Sequence, residues 1–195
     1  MNRLRGMRAY LGGAMDRVAD GGVGWRRTIG EWLRQRSVVT LDPTNKPIDI
    51  GIEDFENRKL RHEWKRTGNF DQLAHDMRKI RCVDLRMVDI SDFLVVNLDL
   101  DVHATGTYEE LYLGNREKKP ILVHIEQGKE ACPDWLFGTI PHEHIFSAWY
   151  QLHDYLRKID GDPDVAHDKR WMFFCYEDKA IKENGDIDAH DAVHP

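Results

Sequence analysis

The sequence is poor in cysteine and contains no long apolar run, and both absences limit what the chain does. Its three cysteines, Cys82, Cys132 and Cys175, are odd in number and form no CxxC pair. Isolated thiols of this kind are typical of a reducing compartment, which predicts a cytoplasmic protein. No apolar stretch approaches the roughly 20 residues of a membrane span. The first residues are basic but lack the apolar core of a secretory signal, which favours the same compartment.

The chain also lacks an excess of basic residues. It carries 28 Lys and Arg against 34 Asp and Glu, for a net charge of −6 and a pI near 5.9. Nucleic acid polymers and anionic membranes require a basic face, so neither is predicted as a partner. The 195 residues, 41% of them hydrophobic, suffice for one domain with a sizeable core. We predict that this domain spans residues 1–176 and that a polar tail follows at 177–195.

Several catalytic signatures are missing as well. No GxxxxGK phosphate loop follows Gly12 and Gly13, and the chain has no GxSxG elbow. His142 and His144 stand two positions apart, so they do not share a helix face, and no third ligand follows at a recognised spacing. The sequence therefore predicts no metal site and no cofactor.

The most informative stretch is residues 93–125. It consists of an apolar run, an acidic Gly/Thr turn, an amphipathic segment and a second apolar run. This pattern predicts a strand at 93–98, a helix at 107–118 and a strand at 120–125, which together form one βαβ unit. Since ligands of open α/β sheets bind at the carboxyl ends of strands, the acidic turn is the predicted location of the chemistry.

The remaining periodicity extends this unit into an α/β fold, which we predict to be a Rossmann-like or flavodoxin-like three-layer sandwich with a mostly parallel sheet of about five strands. The other predicted strands are 7–11, 37–41 and 170–176, and the other predicted helices are 23–36, 52–65, 69–81 and 143–159. Residues 80–91 fit a strand or a helix end equally well.

The acidic residues of this unit allow two interpretations. The pattern T-x-x-E from Thr107 to Glu110 predicts a capping box, in which Glu110 only stabilises a helix start. The helix dipole also favours an ionised Glu110, and a fixed carboxylate at a strand end is what a glycosyl-transfer nucleophile requires. Asp99 and Asp101 follow the strand and Asp84 precedes it. Several carboxylates at one strand end raise one another's pKa, which favours a proton donor among them.

These residues resemble a family, the nucleoside 2-deoxyribosyltransferases. The resemblance rests on the string from Gly106 to Leu111 (GTYEEL), on Lys119-Pro120 before an apolar strand, and on the opening Tyr-Leu-Gly-Gly at residues 10–13. It extends to Trp25-Arg26, similar to an aromatic-Arg pair of the first helix, and to Asp84, eight residues before Asp92. The form GTYEEL…NREKKPILV is most similar to the phage and bacterial branch.

The resemblance implies a role for each matched residue. Glu110 would be the nucleophile at C1′ of the sugar, and Asp84 would contact the nucleobase and assist its protonation. Asp99 or Asp101 would bind the sugar hydroxyls or orient Glu110, and the spacing leaves both open. The remaining implied substrate-binding residues are Tyr10, Gly12, Gly13, Trp25, Arg26, Asp92, Gly106 and Thr107.

The activity implied is transfer of the sugar from a nucleoside to a second free base, with no cofactor and with a role in nucleotide salvage or phage nucleotide metabolism. With water as acceptor, the same chemistry makes an N-glycosidase. Arg17 and Arg26, near the glycine-rich loop, are compatible with a nucleoside 5′-monophosphate hydrolase as an alternative function. A non-catalytic nucleotide-binding module is the other alternative. Family members are often dimers or larger, which implies a homo-oligomer completed by a neighbour's segment such as residues 170–176. Ala14 stands where the family usually has proline, which bears on substrate choice.

Overall fold

The computed structural model describes residues 2–161 and 170–171, and at its centre is a five-stranded parallel sheet with helices on both faces. The predicted α/β sandwich with about five strands is thereby confirmed. The strand order is β2-β1-β3-β4-β5. The strands are β1 (Arg8–Gly13), β2 (Val39–Leu41), β3 (Phe93–Leu98), β4 (Ile121–Ile125) and β5 (Ile145–Phe146).

Six α-helices lie in the described part of the chain. They are α1 (Val23–Arg34), α2 (Phe55–Thr67), α3 (Phe70–Ile90), α4 (Thr105–Arg116), α5 (Asp134–Phe137) and α6 (Trp149–Gly161). Two short 3₁₀ turns, Lys129–Ala131 and His142–His144, flank α5. Within residues 2–161 and 170–171, no helix is both long and apolar enough to cross a bilayer.

The central strands are buried on both faces, which explains their continuous apolar sequences. One face, with Leu11 and Val95, packs against α1 and α6. The other face, with Tyr10 and Val96, packs against α3 and α4. Neighbouring residues on a strand point to opposite faces. Two separate cores therefore lie on either side of one sheet.

The strand order places a crevice between β1 and β3. From β1 the chain passes outward to the edge strand β2, then crosses back through α2 and α3 to pair β3 with the other side of β1. The connections after β1 and β3 therefore leave the sheet in opposite directions. In parallel α/β sheets this topological switch point is where ligands bind.

The structure decides one open prediction and corrects another. Residues 80–91, compatible with strand or helix, continue α3, because Val83, Met87 and Val88 are buried at helical spacing. The helix predicted at 143–159 was wrong at its start, since residues 145–146 instead form β5 beside Val123 and His124. A two-residue strand carries no periodicity that a sequence pattern detects.

Two further predictions concern the end of the chain. A strand was predicted at 170–176, but Arg170 and Trp171 are in a turn and in irregular structure. The rest of that segment and the predicted tail at 177–195 lie outside the described residues. Trp171 is nonetheless buried in the core beneath α6, with its ring 5.4 Å from that of Phe93 and its indole N–H donating to the Tyr155 hydroxyl at 2.8 Å.

Replacing Trp171 with alanine is expected to lower the free energy of unfolding by about 3–5 kcal/mol, because a large buried ring is removed from a packed core. Chemical denaturation measures the change. Trp135→Ala is the matched control, since that ring is 76% exposed and its loss should change stability by less than about 0.5 kcal/mol. Equal losses in the two variants would contradict the assignment of Trp171 to the core.

Candidate active site

A cavity of about 610 Å³ opens at the carboxyl ends of β1 and β3, on the face that α3 and α4 cover. This volume lies in the range of small-molecule sites. Four parts of the chain form its walls: the loop after β1, the loop between β2 and α2, the middle of α3 and the start of α4. Its lining includes Gly13, Met15, Arg17, Pro43, Glu53, Met77, Arg78, Asp84, His103, Gly106, Thr107 and Glu110.

Helix α4 carries Glu110 into this cavity from its second turn. The helix begins at Thr105 after Ala104, so Thr107 is already inside it and is not its cap. The predicted capping box was therefore wrong, and Glu110 has no capping function. Its carboxyl group reaches β1, where a Cβ atom at Gly12 would lie 3.3 Å from Oε2 of Glu110. Gly12 thus lets the carboxyl group approach the strand closely.

The environment of Glu110 favours its protonated form. Burial of the carboxyl group, followed by the nearby charge of Asp84, raises the pKa of Glu110 to about 8 from an ordinary 4.5. Interaction with the Tyr10 hydroxyl and with the charge of Arg26 opposes this rise. The helix dipole alone predicts an ionised carboxylate, and desolvation outweighs it here.

Tyr10 lies beneath Glu110 and is fully buried in β1. Among the described residues its hydroxyl meets no partner with complete hydrogen-bond geometry. The Glu110 carboxyl group is nevertheless close enough that, after burial, it is the largest cause raising the pKa of Tyr10 far above its ordinary value. The hydroxyl therefore stays protonated and is available to stabilise an ionised Glu110.

Asp84 projects from α3 into the same cavity and is also buried. Its Oδ1 atom forms an ion pair with the Lys46 ammonium at 2.7 Å. Burial, followed by the charge of Glu53, raises the pKa of Asp84 to about 7, and Lys46 opposes this rise. Asp84 and Glu110 are thus two buried carboxyl groups that both exchange a proton near neutral pH.

Arg26 and Trp25 shape the cavity from behind and do not line it. The buried guanidinium of Arg26 donates to three carbonyl oxygens, those of Leu11 at 3.0 Å, Gly13 at 2.6 Å and Gly22 at 2.9 Å. Three of its five N–H donors are thus bonded to the backbone, and its Nε atom also lies 3.8 Å from the Asp42 carboxylate. The Trp25 ring stacks on Trp149, with centroids 5.5 Å apart, beside the core between the sheet, α1 and α6.

The other predicted acids lie outside the cavity wall. Asp99 and Asp101 follow β3 at the expected edge, but both accept a hydrogen bond from Nε2 of Gln127, at 2.7 Å and 3.1 Å respectively. Asp92 precedes β3 and therefore lies at the opposite edge of the sheet, where it pairs with Arg8 at 2.9 Å. Of the four predicted catalytic acids, the structure brings only Glu110 and Asp84 together.

Sequence reasoning missed two residues that contact Asp84 or share its site, Lys46 and Glu53. Both belong to the loop between β2 and α2, which has two prolines and no hydrophobic periodicity. Only the position of a lone lysine between those prolines distinguishes it from an ordinary surface loop. Within the described ranges, no group of three or more His, Cys, Asp or Glu residues is arranged to hold a metal ion.

The raised pKa of Glu110 makes stability depend on pH. Because the folded-state pKa of about 8 exceeds the ordinary 4.5, folding opposes ionisation, and the wild type loses stability as the pH rises from about 5 to about 8. Glu110→Gln removes this loss, so the variant should gain about 1–3 kcal/mol relative to wild type across that window.

Urea denaturation at several pH values checks this expectation. Glu31→Gln, on the exposed face of α1, serves as control and should follow the wild-type pH dependence. A constant stability difference between Glu110→Gln and wild type at all pH values would rule out the proposed desolvation.

No family model matches the sequence, and no curated protein sequence matches it. Among solved structures, the chain is similar to a 2-deoxyribosyltransferase from Bacillus psychrosaccharolyticus, with a TM-score of 0.52 and 17% identity over 76% of this chain and 91% of that one. A 2-deoxyribosyltransferase from Leishmania mexicana matches with a TM-score of 0.42 and 17% identity, over 63% of this chain and 66% of that one. The chain has the fold of the Bacillus enzyme.

Proposed function

We propose that this protein is an enzyme that cleaves the N-glycosidic bond of a nucleoside and transfers the sugar to another base. The observation that carries the proposal is the pair of buried carboxyl groups, Glu110 and Asp84, in a strand-end cavity. Their pKa values of about 8 and about 7 suit groups that ionise and protonate within one catalytic cycle. The fold shared with a 2-deoxyribosyltransferase supports the same assignment.

In the proposed first step, the ionised Glu110 attacks C1′ of the sugar. A covalent bond forms between its carboxylate oxygen and C1′, the bond from C1′ to the base breaks, and its electron pair moves to the base nitrogen. Asp84 supplies the proton that neutralises the departing base. The positive charge that develops at C1′ is stabilised by the carboxylate before it is captured.

The reactive protonation state needs one proton on the two carboxyl groups, held by Asp84. Glu110 has the higher pKa, so the proton must leave it before attack. The buried Tyr10 hydroxyl favours this redistribution, because donating to Glu110 stabilises the ionised form. Tyr10 thus supports the nucleophile in the proposed reaction.

In the second step, the nitrogen of another base attacks C1′, the bond to Glu110 breaks, and the Asp84 carboxylate accepts the proton that the new base loses. Each step inverts C1′, so the product retains the original configuration. If water attacks in place of a base, the product is a free sugar and the enzyme is an N-glycosidase. Glu110 does not cap α4. This favours catalysis over a non-catalytic binding module, in which capping would be the role of Glu110.

A specific observation favours a second candidate substrate, the nucleoside 5′-monophosphate. Arg17 and Arg78 both line the cavity, and neither forms an ion pair within the described ranges. Arg81, in contrast, is paired with Glu109 at the rim. Arg17 also has a left-handed backbone, with φ of 64°, a conformation that costs energy for a non-glycine residue and is concentrated at ligand sites. The guanidinium groups of Arg17 and Arg78, in the same cavity as the two acids, suit a substrate with an anionic end.

Glu110→Ala is expected to reduce turnover at least about a thousandfold while leaving substrate affinity within about tenfold, because the nucleophile acts in bond breaking. Chromatographic time courses on deoxynucleosides and their monophosphates, with and without an acceptor base, measure turnover. Calorimetry measures affinity.

Glu109→Ala is the matched control, since its side chain pairs with Arg81 at the rim, and it should retain turnover. Full activity in Glu110→Ala would refute the mechanism. Binding without turnover in wild type, across the panel, would identify a binding module instead.

Arg17→Ala and Arg78→Ala are each expected to raise KM for a nucleoside 5′-monophosphate about tenfold and to leave KM for the corresponding nucleoside unchanged. The reason is that each guanidinium binds the phosphate and not the sugar or base. Steady-state kinetics with the two substrates measures the ratio. Arg27→Ala, on an exposed position of α1, is the control. Parallel changes for both substrates would exclude a phosphate subsite at these residues.

A further inference from the structure

The loop between β2 and α2, residues 42–54, carries a buried lysine toward the candidate site. The side chain of Lys46 is only 4% exposed, although the residues around it form a surface loop. Burying an ammonium group is costly unless it is paired and hydrogen-bonded. The position of Lys46 is therefore strongly constrained by the groups around it.

Three oxygen atoms surround the ammonium group. Lys46 Nζ donates to the carbonyl oxygen of Gly51 at 2.6 Å, and lies 2.7 Å from Oδ1 of Asp84 and 3.1 Å from Oε1 of Glu53. Two of its three N–H donors are bonded to Gly51 and Glu53 of its own loop. Its contact with Asp84 is an ion pair, because Oδ1 of Asp84 meets no partner with complete hydrogen-bond geometry among the described residues. Lys46 consequently acts on Asp84 through its charge.

The same loop contacts the backbone of α3 one turn before Asp84. Gly51 is in the left-handed region, with φ of 66°, and a Cβ atom there would lie 2.8 Å from Cα of Ile80. Only glycine permits this approach. The loop is therefore fixed to α3 at two points, through its backbone at Ile80 and through Lys46 at Asp84.

We propose that Lys46 is a positioning residue, which holds the Asp84 carboxyl group in place and, together with Glu53, sets the charge that Asp84 carries in the reaction. This inference rests on the proposed function for its catalytic consequence. The contacts themselves do not depend on the substrate. The loop thus contributes to the chemistry through Asp84, while Asp84 remains the group that reaches the base.

The charges around Asp84 support this role. Facing it are Lys46 and Glu53 from the loop, Glu110 from α4 and Tyr10 from β1. Asp84, Glu53 and Glu110 thus form a cluster of three carboxyl groups, of which Lys46 pairs with two, and such a cluster retains a proton at neutral pH. Lys46 lowers the pKa of Asp84 and Glu53 raises it, so the two loop residues act in opposite directions.

Because Lys46 and Glu53 shift the pKa of Asp84 in opposite directions, replacing each of them tests the proposal. Lys46→Met removes the cation and should raise the titration midpoint of Asp84 by at least about one pH unit, and Glu53→Gln removes the like charge and should lower it. ¹³C NMR of labelled aspartate carboxyl groups measures the midpoint, with the signal assigned by its loss in Asp84→Asn. Lys59→Met, on an exposed position of α2, is the control and should leave the midpoint at its wild-type value.

Turnover provides the second readout. Glu110 and Asp84 titrate as a pair that reacts with one proton bound, and because Asp84 has the lower pKa of the two, its midpoint sets the acidic limb of the pH profile of kcat/KM. We expect this limb to move to higher pH in Lys46→Met and to lower pH in Glu53→Gln. A purely structural role would reduce kcat without moving the limb. Circular dichroism confirms that each variant is folded, and Glu53→Gln tests the proposal independently if Lys46→Met does not fold.

The outcomes separate this inference from the proposed function. Midpoints that stay fixed, or move in the same direction in both variants, overturn the role of Lys46 whether or not the protein is active. Opposite midpoint shifts with no turnover in wild type support the electrostatic role of Lys46 and overturn the proposed function. An active protein whose acidic limb does not follow the Asp84 midpoint across the variants overturns the link between Lys46 and catalysis.

Discussion

The constraint on which the site depends is the burial of more negative than positive charge at one edge of the sheet. Three different segments contribute the acids Glu110, Asp84 and Glu53, and the Lys46 ammonium group pairs with the last two of them. A protein that buries such a group must keep a proton on it or lose stability. The switch point of the sheet makes this burial possible, because the two connections leave a crevice that the helices enclose.

The βαβ unit was predictable because it is local. Residues 93–125 combine the apolar runs of two doubly covered strands with the periodicity of α4, and the structure follows this pattern closely. Glu110 was predicted to lie near a strand end, and its side chain does line the cavity there. The start of α4 was not predicted correctly, because the exact first residue of a helix is only weakly determined by local sequence.

The features that the sequence did not predict depend on tertiary contacts. Lys46 lies some forty residues from Asp84 along the chain, and no periodicity connects a proline-rich loop to a helix. Strand β5 has two residues and exists because β4 presents an open edge. Arg26 was expected to face a ligand, yet the carbonyl groups at the end of β1 occupy its donors. In each case the partner, not the local pattern, determines the role.

The division of the interior into two cores has a practical consequence for engineering. The acids lie on the α3 and α4 side of the sheet, whereas Trp171, Leu152 and Leu156 pack on the side of α1 and α6. Proteins often exchange stability for activity when both draw on the same side chains. Here the sheet separates the side chains of the cavity from those of the second core. Directed evolution can therefore introduce stabilising substitutions on the side of α1 and α6 while the cavity on the other side is diversified.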